Sequence, residues 1–153
     1  MRISEVKLKG ERRYIKMTAE EIYELALSYV FERKRQDKDY LDFFPLFLNT
    51  VMQEALAYEN IIRRMSGNTP LAVAPRITAN DMEAELDFSE SLCRVALPYG
   101  VAAFYCQDDG DNYRAADYRN RFIIALSDAV TAVNGAQITD IEDVYPYGDA
   151  LGD

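Results

Sequence analysis

The sequence predicts a mainly α-helical fold: a single domain resembling a four-helix bundle, with a short extended N-terminal hairpin or arm and an irregular C-terminal tail. Apolar residues recur every three or four positions in four stretches, and capping or turn residues separate those stretches. Hydrophobic residues make up 49% of the 153 residues, which is enough for one core. We therefore predict one domain with an arm at 1–16, a helical core at 17–136 and a tail at 137–153.

The first predicted helix follows Thr18, which forms a capping-box pattern with Glu21. Apolar residues then share one face of the helix: Ile22, Leu25, Ala26, Tyr29 and Val30. Tyr23, Leu27 and Phe31 lie on a second face, so the apolar stripe is wide. The helix is expected to fade near Arg35, in the charged stretch ERKRQDKD.

The second predicted helix begins near Pro45, because proline is favoured in a first helical turn. Its apolar residues are spaced by three or four up to Met65, and Gly67-Asn68 is expected to end it. The stretch 68–81 holds two prolines and predicts a long connection. The short stretch MEAELDF that follows is expected to be extended.

The third predicted helix begins at Ser89 or Ser91 and ends at the acidic turn QDDGDN. Asp111 is well placed to cap the fourth helix, which runs from about Tyr113. Asn134-Gly135 is predicted to stop this helix. The acidic turn does not match a calcium loop, since its acids do not alternate and no glutamate closes it.

The stretch LPYG places a proline and a glycine inside the third helix. Both weaken a helical turn, so we expect a bend near Pro98. Small residues follow and allow a neighbouring helix to approach closely. We predict that the third and fourth helices pack as a pair through Pro98, Tyr99, Gly100, Tyr118 and Phe122.

The composition argues against an enzyme and against a bound metal or cofactor. The chain has no histidine, which removes the usual general base and the commonest metal ligand. It has no glycine-rich phosphate loop or nucleophile motif. The acids Glu83, Glu85, Asp87 and Glu90 favour a solvated face over a catalytic set; a carboxylate-based enzyme is the least favoured alternative. Cys93 and Cys106 are too far apart along one helix for a disulfide and are predicted to be reduced core residues.

Charge is unevenly distributed over the chain, whose net charge is −9. Residues 1–16 hold six Lys or Arg and two acids, whereas residues 137–153 hold five acids and no base. The acidic body argues against tight DNA binding, and the expected basic contacts are limited to Lys7, Lys9, Arg12 and Arg13. The sequence has neither a membrane-spanning apolar run nor the apolar stretch of a secretory signal, so synthesis in the cytoplasm is expected.

The tail is predicted to be a partner-binding segment, because it cannot form a core of its own. Its apolar residues would be the contacts, either in docking on a partner or between subunits: Ile138, Ile141, Val144, Tyr145 and Tyr147. The chain has eleven tyrosines and no tryptophan. Tyrosine suits protein interfaces, because it combines a large apolar ring with a polar hydroxyl. Opposite charge at the two ends would suit pairing of arm and tail between neighbouring copies, with docking of the tail on another protein as the competing use.

Three stretches resemble the head–tail connector (adaptor, or head-completion) proteins of tailed bacteriophages. Residues 91–126, SLCRVALPYGVAAFYCQDDGDNYRAADYRNRFIIAL, are similar to the paired-helix segment of that family. Residues 17–33, MTAEEIYELALSYVFER, resemble its opening helix, and residues 138–148, ITDIEDVYPYG, its terminal stretch. The tail departs from the family pattern at YPYG, where a glycine is expected soon after the first tyrosine.

The resemblance implies a structural virion protein that forms a ring, often of twelve copies, between the portal and the tail. Its expected partners are other copies of itself, the portal protein and the next tail or neck component. DNA would pass through the ring without tight binding, and the tail would dock on the portal. The alternative is a small acidic helical protein that binds and regulates one protein partner.

Overall fold

A computed structural model describes residues 16–31 and 38–142, with side chains described up to residue 135. Four helices dominate this part of the chain: α1 (Ala19–Tyr29), α2 (Lys38–Met65), α3 (Leu97–Asp108) and α4 (Asn112–Glu142). No strand occurs within the described ranges, where one isolated bridge joins Thr18 to Glu85. The predicted helical fold class is thus confirmed. The arm at 1–15, the segment 32–37 and residues 143–153 lie outside the described residues.

Helix α1 begins as its sequence predicts. The Thr18 hydroxyl accepts a hydrogen bond from the Glu21 amide (3.3 Å), and the Glu21 carboxylate accepts one from the Thr18 amide (3.1 Å). The helix ends at Tyr29, earlier than the predicted fade near Arg35. The reason lies in tertiary structure, because α4 side chains bind the Tyr29 carbonyl and the chain turns at Phe31, whose φ is 59°.

The predicted start of α2 at Pro45 is wrong. The helix begins at Lys38, and Pro45 lies buried within it. Proline deprives the carbonyl four residues earlier of its helical partner. That residue is Leu41, which lies in the first turn and is partly exposed, so solvent can replace the lost hydrogen bond. The helix ends near Gly67 as predicted, where φ is 74°.

The long connection after α2 is held against that helix by two asparagines. Asn49 donates to the Ile77 carbonyl (2.9 Å) and accepts from the Ile77 amide (2.8 Å). Asn60 makes the same pair of bonds with Leu71, at 3.0 and 2.8 Å. A short 3₁₀ helix, Ala79–Asp81, follows. MEAELDF, predicted to be extended, pairs only as the single bridge of Glu85.

Where a bend near Pro98 is predicted, the structure has a π-helical turn, Leu92–Ala96, just before α3. The Leu97 amide donates to the carbonyl of Leu92, five residues back. Pro98 therefore lies in the first turn of α3, where a missing amide is well tolerated. The irregularity precedes the proline and does not surround it.

The predicted end of α4 at Asn134-Gly135 is wrong, because the helix continues to Glu142. Gly135 is exposed and no atom lies near its open side. A glycine in a helix interior costs about 1 kcal/mol, which a long, already formed helix can offset. Residues 137–142 consequently belong to the helix, and Ile138 and Ile141 lie in its last two turns and not in an irregular tail.

The core gathers around α3, which packs against the other three helices. The largest fully buried apolar side chains of the core come from all four helices, the π turn and the connection: Tyr23, Tyr105, Phe44, Phe122, Ile22, Leu48, Met52, Leu86, Leu92, Leu97 and Leu126. Gly100 marks a close approach of α3 to α2 and α4. A β-carbon there would lie 2.6 Å from Val51 Cγ1 and 3.2 Å from Phe122 Cδ2.

Candidate interaction surfaces

Three tyrosines join α1, α3 and α4. The Tyr29 and Tyr99 rings stack with centroids 4.7 Å apart, and Tyr118 lies 6.1 Å from Tyr99. The Tyr118 hydroxyl donates to the Tyr29 carbonyl at 2.5 Å. Burial and the neighbouring Tyr99 raise the pKa of the Tyr29 phenol. These tyrosines are structural, since they close the C-terminal end of α1.

Arg114 completes this closure. Its guanidinium donates to the Tyr29 carbonyl (2.8 Å) and lies 5.4 Å from the centre of the Phe31 ring. A cation at a helix C-terminus is favourable, because the last carbonyls carry partial negative charge. Phe31 itself is 85% exposed and has the left-handed φ that phenylalanine rarely adopts. Arg114 thus compensates for part of the strain at this turn.

Four of the five residues predicted to pair the third and fourth helices lie at that contact: Tyr99, Gly100, Tyr118 and Phe122. Gly100 faces Phe122 and Val51, and Tyr99 stacks on Tyr118. Pro98 is buried in the first turn of α3. Beside this contact, Arg119 of α4 forms an ion pair with Glu54 of α2. The set is a packing contact that fixes α4 across both α2 and α3.

Two of the four acids in the predicted acidic cluster pair with bases, and the other two, Glu83 and Glu85, are exposed. Asp87 pairs with Lys16 (2.6 Å) and with Arg63 (3.0 Å), and the Lys16 hydrogen bond is the main reason that the Asp87 pKa falls below its ordinary value. Glu90 pairs with Arg94. No group of three His, Cys, Asp or Glu side chains in the described ranges is arranged to hold a metal ion.

A buried carboxylate, which the sequence analysis missed, fixes the start of the third helical segment. Glu59 is 1% exposed, accepts a hydrogen bond from Arg63 (2.7 Å) and accepts from the Ser89 amide (3.0 Å). Buried carboxylates need such partners. The signal in the sequence was its position: Glu59 falls on the core face of α2, three residues before the buried Ile62.

Both cysteines are free and buried, as predicted. Burial raises the pKa of the Cys93 thiol to about 12, so the thiol stays protonated at neutral pH. A protonated buried thiol is a poor nucleophile. Cys93 and Cys106 are therefore packing residues.

The first exposed apolar surface is on α2 and is called the α2 face. Its residues are Phe43, which is 47% exposed, and Leu46, which is 61% exposed. The Phe43 ring is 6.1 Å from Phe47, which stacks on Phe104 of α3 at 5.1 Å. The apolar spacing used to predict α2 did not indicate this surface, although the stretch LDFFPLFL has more apolar residues than one helical face can bury.

The second exposed surface is a groove between the π turn and α4, called the α4 groove. Its volume is about 640 Å³. Its apolar lining comes from Val95 of the π turn, from Tyr99 of α3 and from Ile124, Ala125 and Ala129 of α4. Four charged side chains also line it: Glu90, Arg94, Arg121 and Asp128. Two of the α4 residues are alanines, whose small side chains leave room for a partner side chain.

The predicted terminal contacts fall largely outside the described part of the chain. This holds for the basic residues Lys7, Lys9, Arg12 and Arg13 and for the tail residues Val144, Tyr145 and Tyr147. Ile138 and Ile141 belong to the backbone of α4, near its C-terminal end. No helix among the described residues has the length and apolar character to cross a membrane.

No family model matches this chain, and no curated protein or solved structure is significantly similar to it. The described residues therefore carry the functional argument together with the sequence resemblance.

Proposed function

We propose that this chain is a structural connector protein of a tailed-phage virion, which assembles head-to-tail into a ring between portal and tail. The observation that carries the proposal is the pair of separate apolar surfaces, the α2 face and the α4 groove. A ring needs two different surfaces on each subunit, because each copy contacts two neighbours in the same direction. The ring would be a component of the virion, and DNA would pass through it.

The packing of the resembling stretches supports the same proposal. The described part of residues 17–33 lies mostly on α1, and residues 91–126 span the π turn, α3 and the first half of α4. The Tyr118 and Arg114 bonds to the Tyr29 carbonyl join them into one unit. The residues behind the resemblance are thus ones on which this packing depends, and the exposed surfaces lie around them.

Native mass spectrometry of the full chain tests this function. The protein is measured over a range of concentrations, alone and with the portal protein of the same phage. We expect a closed ring of one copy number, either alone or on the portal. A monomer under both conditions contradicts the proposal. A complex of defined stoichiometry with some other single protein, without self-association, supports the alternative of a helical regulator.

A further inference from the structure

The α2 face and the α4 groove lie on opposite flanks of α4. Arg119 points towards α2, where it pairs with Glu54. Arg121 and Ile124 line the groove instead. Since successive residues of an α-helix are rotated by about 100°, Arg121 lies about 200° around the helix from Arg119. The groove therefore opens away from α2, and one subunit cannot bring its own two surfaces together.

The two surfaces differ in shape. The α2 face protrudes, because Leu46 and Phe43 project from a helix whose opposite side is buried. The stack of Phe43 on Phe47 orients its ring before any partner arrives. The α4 groove is a hollow of about 640 Å³ whose lining includes Ala125 and Ala129. A protruding leucine and phenylalanine fit a hollow with apolar lining, and a few well-buried side chains carry most of the energy of an interface.

The charges around the two surfaces also complement each other. Arg94 and Arg121 at the groove are 66% and 54% exposed, and each pairs with an acid four residues earlier on its own helix. Exposed pairs of that kind contribute about 0.3–0.5 kcal/mol, so either arginine can exchange its partner at low cost. The first two turns of α2 carry the acids Asp39 and Asp42 and the base Lys38. This end of α2 therefore offers acids to the two arginines of the groove and a base to its two acids, Glu90 and Asp128.

We infer that the α2 face of one copy binds in the α4 groove of the next copy, with Leu46 and Phe43 against Val95 and Ile124. This inference rests on the proposed function, since it names the contact that would close the ring. The contact is heterologous: it joins two different surfaces and leaves one of each free at the end of any open chain. Its apolar centre and charged rim match the usual anatomy of protein interfaces.

Cross-linking with single cysteine substitutions tests the contact. Leu46→Cys and Ile124→Cys place one reactive thiol on each surface, and the native Cys93 and Cys106 are buried. A short bismaleimide is added to each variant alone, to an equal mixture of both, and to the double variant. Val73→Cys, on a residue of the connection that is 75% exposed, replaces Leu46→Cys in the control mixture.

We expect no cross-link for either single variant, a covalent dimer for the mixture, and a ladder of sizes for the double variant. The Val73→Cys control is expected to give none. Cross-linking of Leu46→Cys with itself would overturn the inference, because it indicates a two-fold contact. So would efficient cross-linking of Ile124→Cys to Tyr145→Cys in place of Leu46→Cys, which would assign the groove to the C-terminal tail.

Mass measurement separates failure of this inference from failure of the proposed function. If rings form but the mixture gives no Leu46–Ile124 dimer, the ring stands and the contact is wrong. If the chain stays monomeric alone and with portal, both are wrong. Leu46→Asp should also abolish assembly while preserving the helical circular dichroism signal, and Val73→Asp should leave assembly unchanged. Assembly of Leu46→Asp would refute the α2 face as an interface.

Discussion

Replacing Gly100 with alanine tests a close helix contact in the core. The new β-carbon would lie 2.6 Å from Val51 Cγ1, 3.1 Å from Val51 Cγ2 and 3.2 Å from Phe122 Cδ2. Val51 cannot easily move away, because a β-branched residue in a helix has one strongly preferred rotamer. Overpacking of this kind costs about 1–3 kcal/mol. The gain in helix propensity from glycine to alanine returns about 1 kcal/mol.

The net effect of Gly100→Ala is therefore a loss of up to about 2 kcal/mol in the free energy of unfolding. Gly135→Ala is the matched control, since Gly135 is also helical and nothing lies within 4 Å of its added β-carbon. That variant should gain up to about 1 kcal/mol. Urea unfolding followed by circular dichroism measures both.

A double-mutant cycle isolates the cause. Val51→Ala removes both methyl groups that the new β-carbon would meet, so Gly100→Ala should cost less in that background than in the native chain. If Gly100→Ala is instead as stabilising as Gly135→Ala, or costs the same with and without Val51, the close approach of α2, α3 and α4 at this position is refuted.

The remaining predictions concern the polar contacts. Tyr118→Phe removes the bond that caps α1 and should lower the free energy of unfolding by about 1 kcal/mol, whereas Tyr113→Phe, at an 86% exposed position, should change nothing; equal effects would contradict the cap. Glu59→Gln should cost about 1.5–3 kcal/mol in denaturant unfolding, because it removes the charge from the buried acceptor of the Arg63 and Ser89 hydrogen bonds while Arg63 keeps Asp87, and a neutral result would refute that pairing. The pKa of Asp87 lies below its ordinary value of 3.8, so the ionised carboxylate stabilises the fold at pH values above 3.8. Stability should fall as the pH drops below that value, and Asp87→Asn should flatten this loss in unfolding curves.

Local sequence signals predicted the elements whose cause is local. The capping box of Thr18 and Glu21 uses only neighbouring residues, and the structure has both of its bonds. The same holds for Asp111, which caps α4 by accepting from the Arg114 amide at 3.0 Å. In each case the side chain and the backbone group that it binds are three residues apart, so the pattern is visible in the sequence.

Local signals failed where tertiary contacts decide. The end of α1 depends on α4 side chains that are more than eighty positions away in sequence. Pro45 and Gly135 weaken helices locally but do not end them, because each lies within a helix long enough to continue past it. The α2 face and the α4 groove were not predicted for a related reason. Which apolar residues of a wide stripe stay exposed depends on which other helices pack against that stripe.

The extension of α4 to Glu142 changes what the charged ends of the chain can do. Leu126 is the last fully buried residue among the described side chains of α4, and Glu142 lies sixteen positions further on, a rise of about 24 Å along the helix axis. The last turns carry Asp140 and Glu142 and no base. Acids at a helix C-terminus are unfavourable by about 0.3–1 kcal/mol each.

A cationic segment of a neighbouring copy would offset the unfavourable interaction of Asp140 and Glu142 with the helix end. Residues 1–16, with their excess of Lys and Arg, have the required charge. Pairing of the arm with the end of α4 would therefore stabilise the helix and join two subunits at once. Deleting residues 138–153 would remove the end of α4 together with the residues after it. A cut after Glu142 removes Tyr145 and Tyr147 but keeps the helix end to which the arm would bind. If the arm binds the helix end, rings survive that shorter deletion and lose stability as salt rises. If Tyr145 and Tyr147 are the anchors, the shorter deletion alone abolishes the ring.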